Sequence, residues 1–278
     1  MKSSSRRSNR PKSSPVPRAL AVGAHPDDIE FLMAGTLLLL RQAGFETHYL
    51  NLASGQCGSA IHPAAKVRRI RRAEAREAAR VLHSVFHDSL VDDLEIYYER
   101  STLRRLAALM REINPAILLV PSPQDYMEDH TNTCRLAVTA AFVRGMRNFL
   151  TSPRRAAVQG EVTVYHAMPH GLRDPLRRRV IPGMFVNTAA VHGTKRQALA
   201  CHRSQQDWLD TSQGLNEYLV TMERFSAEVG RLSRRFEMAE GWRKHLHYGF
   251  CRQEADPLAA ALGADCLINA EYEAGLEG

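Results

Sequence analysis

The chain begins with a stretch almost free of apolar residues and then turns, at residues 19–24, to a short apolar run. A run of that length bounded by polar segments predicts a buried strand. Residues 30–43 are apolar on all sides and stop at Gly44, which predicts a helix. Residues 48–53 predict a second strand, and the Gly- and Ser-rich stretch 54–59 a loop. Helices are predicted over 64–82 and 103–113, the latter ending before Pro115, and an aliphatic strand over 116–120. A polar loop, 121–130, leads into a predicted helix over 131–147. Strands over 162–167 and 184–191 follow, then helices over 195–201 and 213–247. Residues 256–278, rich in Ala and Gly, carry no assignable pattern.

Strand alternating with helix predicts an α/β fold: a doubly wound, mostly parallel, Rossmann-like sheet with helices on both faces and a helical C-terminal extension. Three segments are expected: a basic tail over 1–17, the folded domain over 18–255, and an unassigned tail over 256–278. In such sheets ligands bind beyond the carboxyl ends of the strands. No G-x-G-x-x-G or P-loop follows the first strand, so nucleotide binding has no support.

Charge changes the picture less than its total implies. The net charge is +7, but Lys2, Arg6, Arg7, Arg10, Lys12 and Arg18 supply six of those charges before the first acid, Asp27. The body of the chain is therefore nearly neutral, and no nucleic-acid partner is expected for it. The Ser-, Arg- and Pro-rich tail predicts disorder. It resembles a transit peptide in composition, but Pro11, Pro15 and Pro17 oppose the amphipathic helix such a peptide needs. The longest apolar runs, such as 34–40, are too short to span a bilayer. The five cysteines are scattered with no C-x-x-C pair, which fits a reducing, cytoplasmic setting rather than a disulfide framework or thiolate metal site.

Two polar clusters sit at predicted strand ends. His25, Asp27 and Asp28 follow the first strand; Asp125, Tyr126, Met127, Asp129 and His130 follow the strand over 116–120. Aspartates there also serve as helix caps, and the second cluster reads equally as a solvated acidic loop. Two such clusters on one sheet, however, offer the imidazole and carboxylate ligands that Zn²⁺ takes, with a fourth position left for water.

The run 24–30 resembles the A-H-P-D-D-x-E signature of the LmbE-like (PIG-L) N-deacetylases. The run 125–130 stands where that family has D-x-H-x-D-H. Arg71 and Glu74, with Ala78, Ala79 and Leu82, resemble its next helix, and Lys195, His202, Ser204 and Gln205 a later K…H-x-S-Q helix. The resemblance spans about residues 19–205. It implies zinc held by His25, Asp28 and His130, with Asp27 as general base. It also implies a substrate pocket bordered by Arg71, Gln56, Met127 and Lys195 and bracing by His202 and Gln205, while Tyr126 and Asp129 are the further catalytic candidates.

Two positions depart from the family. Met127 replaces a histidine thought to stabilise the oxyanion, and a thioether cannot donate a hydrogen bond. Loss of one such donor costs about 2.7–4 kcal/mol. Tyr126 is the favoured replacement, with His166, His170 and Lys195 as alternatives; Asp129, which in the family orients the missing histidine, is then available to back His130. Gln56 stands where the family commonly has glutamate. The resulting expectation is hydrolysis of an N-acyl amide, most simply an N-acetyl group on an amino sugar or glycoside conjugate. A metal- or sugar-binding protein impaired in turnover is the rival reading. No membrane span is expected, and a homo-oligomer is compatible with the sequence. Deleting residues 1–17 should leave the thermal midpoint and metal content unchanged, since nothing there adds to a packed core; differential scanning fluorimetry and metal analysis check this.

Overall fold

The computed structural model describes residues 16–206, 208 and 218–276. The expected tail therefore lies outside the described residues except for 16 and 17, as does the start of the helix expected from 213.

Eight strands form one sheet in the order β3-β2-β1-β4-β5-β7-β6-β8. β1 (Arg18–Gly23), β2 (Glu46–Asn51), β3 (Val85–His87), β4 (Ile117–Val120) and β5 (Thr163–Ala167) are parallel. β6 (Met184–Asn187), β7 (Ala239–Lys244) and β8 (Cys266–Ile268) add an antiparallel half. Helices cover both faces, as expected. Along β1 the side chains alternate: Ala19 and Ala21 join one core, Leu20 and Val22 the other, as the two-residue strand period dictates. The first core takes in α1 (Asp28–Leu32), α2 (Ala34–Gln42) and α3 (Ala64–Val81); the second takes in α4 (Arg100–Ile113) and α5 (Glu128–Phe142). From β1 the chain winds to β2 and β3 on one side, then returns to β4 and β5 on the other. The reversal leaves a crevice between the ends of β1 and β4, the switch point where such folds bind ligands.

Several boundaries differ from expectation. The helix expected over 30–43 is two, α1 and α2, broken at Met33. The backbone N–H groups of Gly35 and Thr36 at the start of α2 donate to the buried Glu240 carboxylate, at 2.8 Å each, so a residue 204 positions away satisfies the break. The helix expected over 131–147 begins at Glu128, which puts Asp129 and His130 in its first turn. The strand expected over 184–191 ends at Asn187.

The largest correction lies in the helix expected over 213–247. Its described part is α7 (Tyr218–Ser233), preceded in the chain by α6 (His192–Leu199), and the chain then turns into β7. Glu240, within the expected helix, lies on β7 and is buried. Its carboxylate meets Lys195 Nζ at 2.7 Å and takes the Thr36 hydroxyl at 2.7 Å, while Trp242 Nε1 donates to Thr36 Oγ1 at 3.0 Å. The unassigned stretch from 256 also packs: α8 (Pro257–Leu262) buries Leu258, β8 closes the sheet edge, and α9 (Ala270–Ala274) follows. Among the described residues no helix is long and apolar enough to cross a membrane.

Glu240→Ala would leave buried Lys195 with only the Ser226 hydroxyl as a partner and two helix N–H groups without an acceptor. The expected loss is about 3–5 kcal/mol, read from urea unfolding at neutral pH.

Candidate metal centre and its cavity

Asp27 is the hinge of the site. It has φ 111°, a left-handed conformation uncommon outside glycine. That turn sends two consecutive carboxylates in different directions. Asp28 accepts hydrogen bonds at Oδ2 from the backbone N–H groups of Ala24 and His25, both 2.9 Å, and so is fixed against the end of β1. Asp27 faces α3 and α7: its Oδ2 accepts from the Tyr218 hydroxyl at 2.6 Å and lies 3.5 Å from the Arg71 guanidinium. Arg71 is only 2% exposed, on the buried Val67–Ala75 stripe of α3, where an apolar residue would normally sit. It also donates to the Pro26 carbonyl.

Each histidine of the centre is backed by its own carboxylate. His25 Nε2 lies 2.9 Å from Asp129 Oδ2, and His130 Nδ1 lies 2.9 Å from Asp125 Oδ1. A carboxylate only accepts, so each imidazole directs its other nitrogen elsewhere. Both remaining nitrogens face Asp28: His25 Nδ1 at 3.8 Å from Oδ2, His130 Nε2 at 3.4 Å from Oδ1. Ligand atoms of His25, Asp28 and His130 all lie within 4.8 Å of one another. Carboxylate–histidine pairs of this kind orient metal-binding imidazoles. Two imidazole nitrogens and one carboxylate oxygen form a donor set that suits a divalent transition metal.

The electrostatics agree. Burial would raise the Asp28 carboxyl, but His130 and then His25 pull it well below the usual carboxylate range. Burial would lower His130, but Asp28 and Asp125 lift it well above its ordinary value; His25 is raised in the same way by Asp129 and Asp28. Asp27 goes the other way: burial raises it, against the attraction of Arg71. The two neighbouring carboxylates are thus driven apart, one held ionised among imidazoles and one made more basic.

These groups border a cavity of about 450 Å³. Of the residues expected there, His25, Asp27, Asp28, His130, Arg71, Tyr126, Met127 and Gln205 line it. Tyr126 is 63% exposed at the mouth. Four expected residues lie elsewhere. Asp129, expected to be catalytic or to support His130, instead bridges His25 and the Leu94 backbone N–H at 2.8 Å. Lys195, expected at the substrate pocket, is fully buried on Glu240 and Ser226. Gln56 does not reach the cavity wall; its Oε1 accepts from Ser54 Oγ and Asp93 N, both 2.8 Å, and so shapes the loop whose Gly55, Cys57 and Gly58 do line it. His202 sits behind the cavity, 3.2 Å from the buried Glu30 carboxylate. Next to it, Ser204 N and Oγ donate to Glu74 at 2.8 and 2.6 Å, which clamps this segment onto α3.

Sequence reasoning missed Tyr218, which is 191 positions from the carboxylate it touches. It also missed Asp93, which accepts from the backbone N–H groups of Gly55 and Cys57 at 2.6 and 2.9 Å. No local pattern marks either. The support that Asp125 gives His130 was within reach of the motif, because the two are five positions apart. His166 turns away from the cavity toward His245, 2.9 Å off, whereas His170 lines it. Burial pushes His170 below its ordinary pKa.

Residues 20–142 match the family model described as PIG-L, GlcNAc-PI de-N-acetylase. The 4-oxalmesaconate hydratase of Pseudomonas putida KT2440 is 27% identical over 208 residues, covering 72% of this chain and 78% of the hydratase. The diacetylchitobiose deacetylase of Thermococcus kodakarensis is 27% identical over 200 residues, covering 68% of this chain and 70% of the deacetylase. The crystal structure of GalB, the 4-carboxy-2-hydroxymuconate hydratase from Pseudomonas putida KT2440, shares the fold, with a TM-score of 0.70 at 24% identity over 87% of this chain and 99% of that one. The stretch that carries both aspartate–histidine clusters, residues 20–142, is therefore a PIG-L (LmbE-like) family domain.

Proposed function

We propose that the protein is a zinc-dependent hydrolase that removes an N-acyl group, most simply acetyl, from an amino sugar or its conjugate. The observation that carries this reading is the pair of carboxylate-backed histidines turned toward Asp28, with a second, more basic carboxylate, Asp27, on the same cavity. His25, Asp28 and His130 would hold the ion. When bound, zinc lowers the pKa of water and polarises a carbonyl.

The rest is the work of the chain itself. Asp27, desolvated and held by Tyr218 and Arg71, takes a proton from the attacking water. The water oxygen bonds to the acyl carbon, the C–N bond breaks, and Asp27 passes its proton to the amine that leaves. Asp125 and Asp129 keep the two imidazoles in their tautomers and orientation. Asp93 holds the loop over 54–58 against the cavity.

One of the relatives is a hydratase, and addition of water to a conjugated double bond would use the same ion and base. The cavity favours amide hydrolysis of a neutral substrate. Among its described lining residues Arg71 is the single arginine or lysine, and its charge is taken up by Asp27. A substrate with several carboxylates would meet Asp27, Asp28 and Asp93 there, with no lysine or arginine to pair with beyond the ion that His25, Asp28 and His130 would hold. The folded unit responsible is proposed to begin at 18 and to continue past the expected boundary at 255, because β8 pairs with β6 and Leu258 joins the core. The five cysteines, all free, fit a reducing compartment such as the cytoplasm.

Purified protein should hold about one zinc ion per chain, and replacement of His25, Asp28 or His130 by Ala should sharply weaken its retention. Normal metal content in all three variants would remove the basis of the proposal. Asp27→Asn should keep the metal and lose about 10²–10⁴ in kcat, measured as amine release from N,N'-diacetylchitobiose or N-acetylglucosamine. Offered 4-oxalmesaconate in parallel, the enzyme should leave it unchanged; rapid hydration without any amine release would decide for the hydratase reading.

A further inference from the structure

Met127 borders the cavity beside His130, and a thioether offers no donor to an oxygen that gains negative charge. Amide hydrolysis develops such a charge, and a fixed donor aimed at it is worth about 10²–10³ in kcat. Tyr126 is the donor nearest in sequence and its ring meets those of His130 and His170 at 5.9 and 6.1 Å, but the residue is 63% exposed and no hydrogen bond among the described residues fixes its hydroxyl. Lys195 and His166 face away from the cavity.

His170 is placed differently. Its backbone N–H donates to Asp125 Oδ2 at 3.1 Å, and the other oxygen of that carboxylate is the one that holds His130 Nδ1. One side chain thus ties His170 to a residue of the metal centre. The imidazole packs edge-on against Phe31 and Phe225, with centroids 5.3 and 5.0 Å away, so its plane is set by two rigid rings. It lines the cavity together with His25, Asp28 and His130. In either protonation state an imidazole presents at least one N–H donor.

We propose that His170 supplies the hydrogen bond to the developing oxyanion that Met127 cannot, and so acts as a catalytic residue of the amide hydrolysis. This rests on the hydrolase reading above. The donor has moved from the strand-end loop of β4 to the segment after β5, and the Asp125 carboxylate keeps both segments in register. The bond strengthens as charge develops on the acyl oxygen, so it acts on the transition state more than on bound substrate.

The test compares His170→Phe and His170→Gln with the unaltered protein, using N,N'-diacetylchitobiose. Phenylalanine fills the space without a donor; glutamine restores an N–H. His170→Phe should lower kcat about 10²–10³-fold, with little change in KM and with its zinc content intact. Binding of a methylphosphonamidate of glucosamine, tetrahedral at phosphorus, should weaken by a similar factor in calorimetry, whereas binding of glucosamine itself should not. His170→Gln should recover part of both. A His170→Phe variant as fast as the unaltered protein overturns the proposal, and so does one that loses its zinc, because the side chain would then only hold the centre together. Should the unaltered protein release no amine at all, the hydrolase reading fails first and this inference falls with it.

Discussion

Negative charge crowded into a small buried volume is the constraint around which this molecule is organised. Asp27, Asp28, Asp125 and Asp129 all lie within reach of two imidazoles and one arginine at the ends of β1 and β4. Carboxylates in low dielectric repel one another and are costly unless paired. The structure separates them by function. Asp125 and Asp129 each face the outer nitrogen of a histidine, Asp28 faces both inner nitrogens, and Asp27 is turned by its left-handed backbone toward Arg71 and Tyr218. A divalent cation among His25, Asp28 and His130 would relieve the remaining imbalance. The same arrangement would leave Asp27 free to move protons.

The second half of the chain completes what the first begins. Residues 20–142 hold the two clusters, but Tyr218, His170, Gln205 and Trp208 supply other walls of the cavity. Those walls are anchored by a buried polar pair far from the chemistry. Glu240 on β7 binds Lys195 on α6 and caps the start of α2, so one carboxylate ties both helices to the antiparallel half of the sheet. Ser204 clamps to Glu74 on α3 in the same manner. Substitutions at Glu240 and at Asp27 therefore act on different quantities, folding in one case and turnover in the other.

The relatives include both a hydratase and a deacetylase, which the same scaffold can support because each reaction needs activated water and a base. What separates them is the charge and shape presented to the rest of the substrate. In this chain the departure from the family signature falls at Met127, on the cavity wall, while Asp27 and the three metal-binding candidates match that signature.

The sequence alone predicted four of the five parallel strands, without β3, and the two polar clusters that follow β1 and β4. Its aliphatic runs at residues 19–24 and 116–120 are short enough to be read as buried strands, and the histidine and aspartates that follow each are neighbours in the chain, so their clustering needs no tertiary information. The family resemblance also marked Arg71 and the 202–205 segment. The residue pattern put β7 inside a helix over 213–247, and only the packed chain shows Glu240 buried against Lys195. Lys195 at the pocket and Asp129 in the reaction followed from the family resemblance, which carries a residue's type but not its partner in this chain. Only the tertiary structure decided that Asp129 serves His25, that Asp125 serves His130, and that Tyr218 meets Asp27 across 191 positions. Local sequence carries the period of an element and the chemistry of a side chain. Partner choice over long range depends on how the sheet's strand order brings distant ends together, and that order is a property of the packed chain.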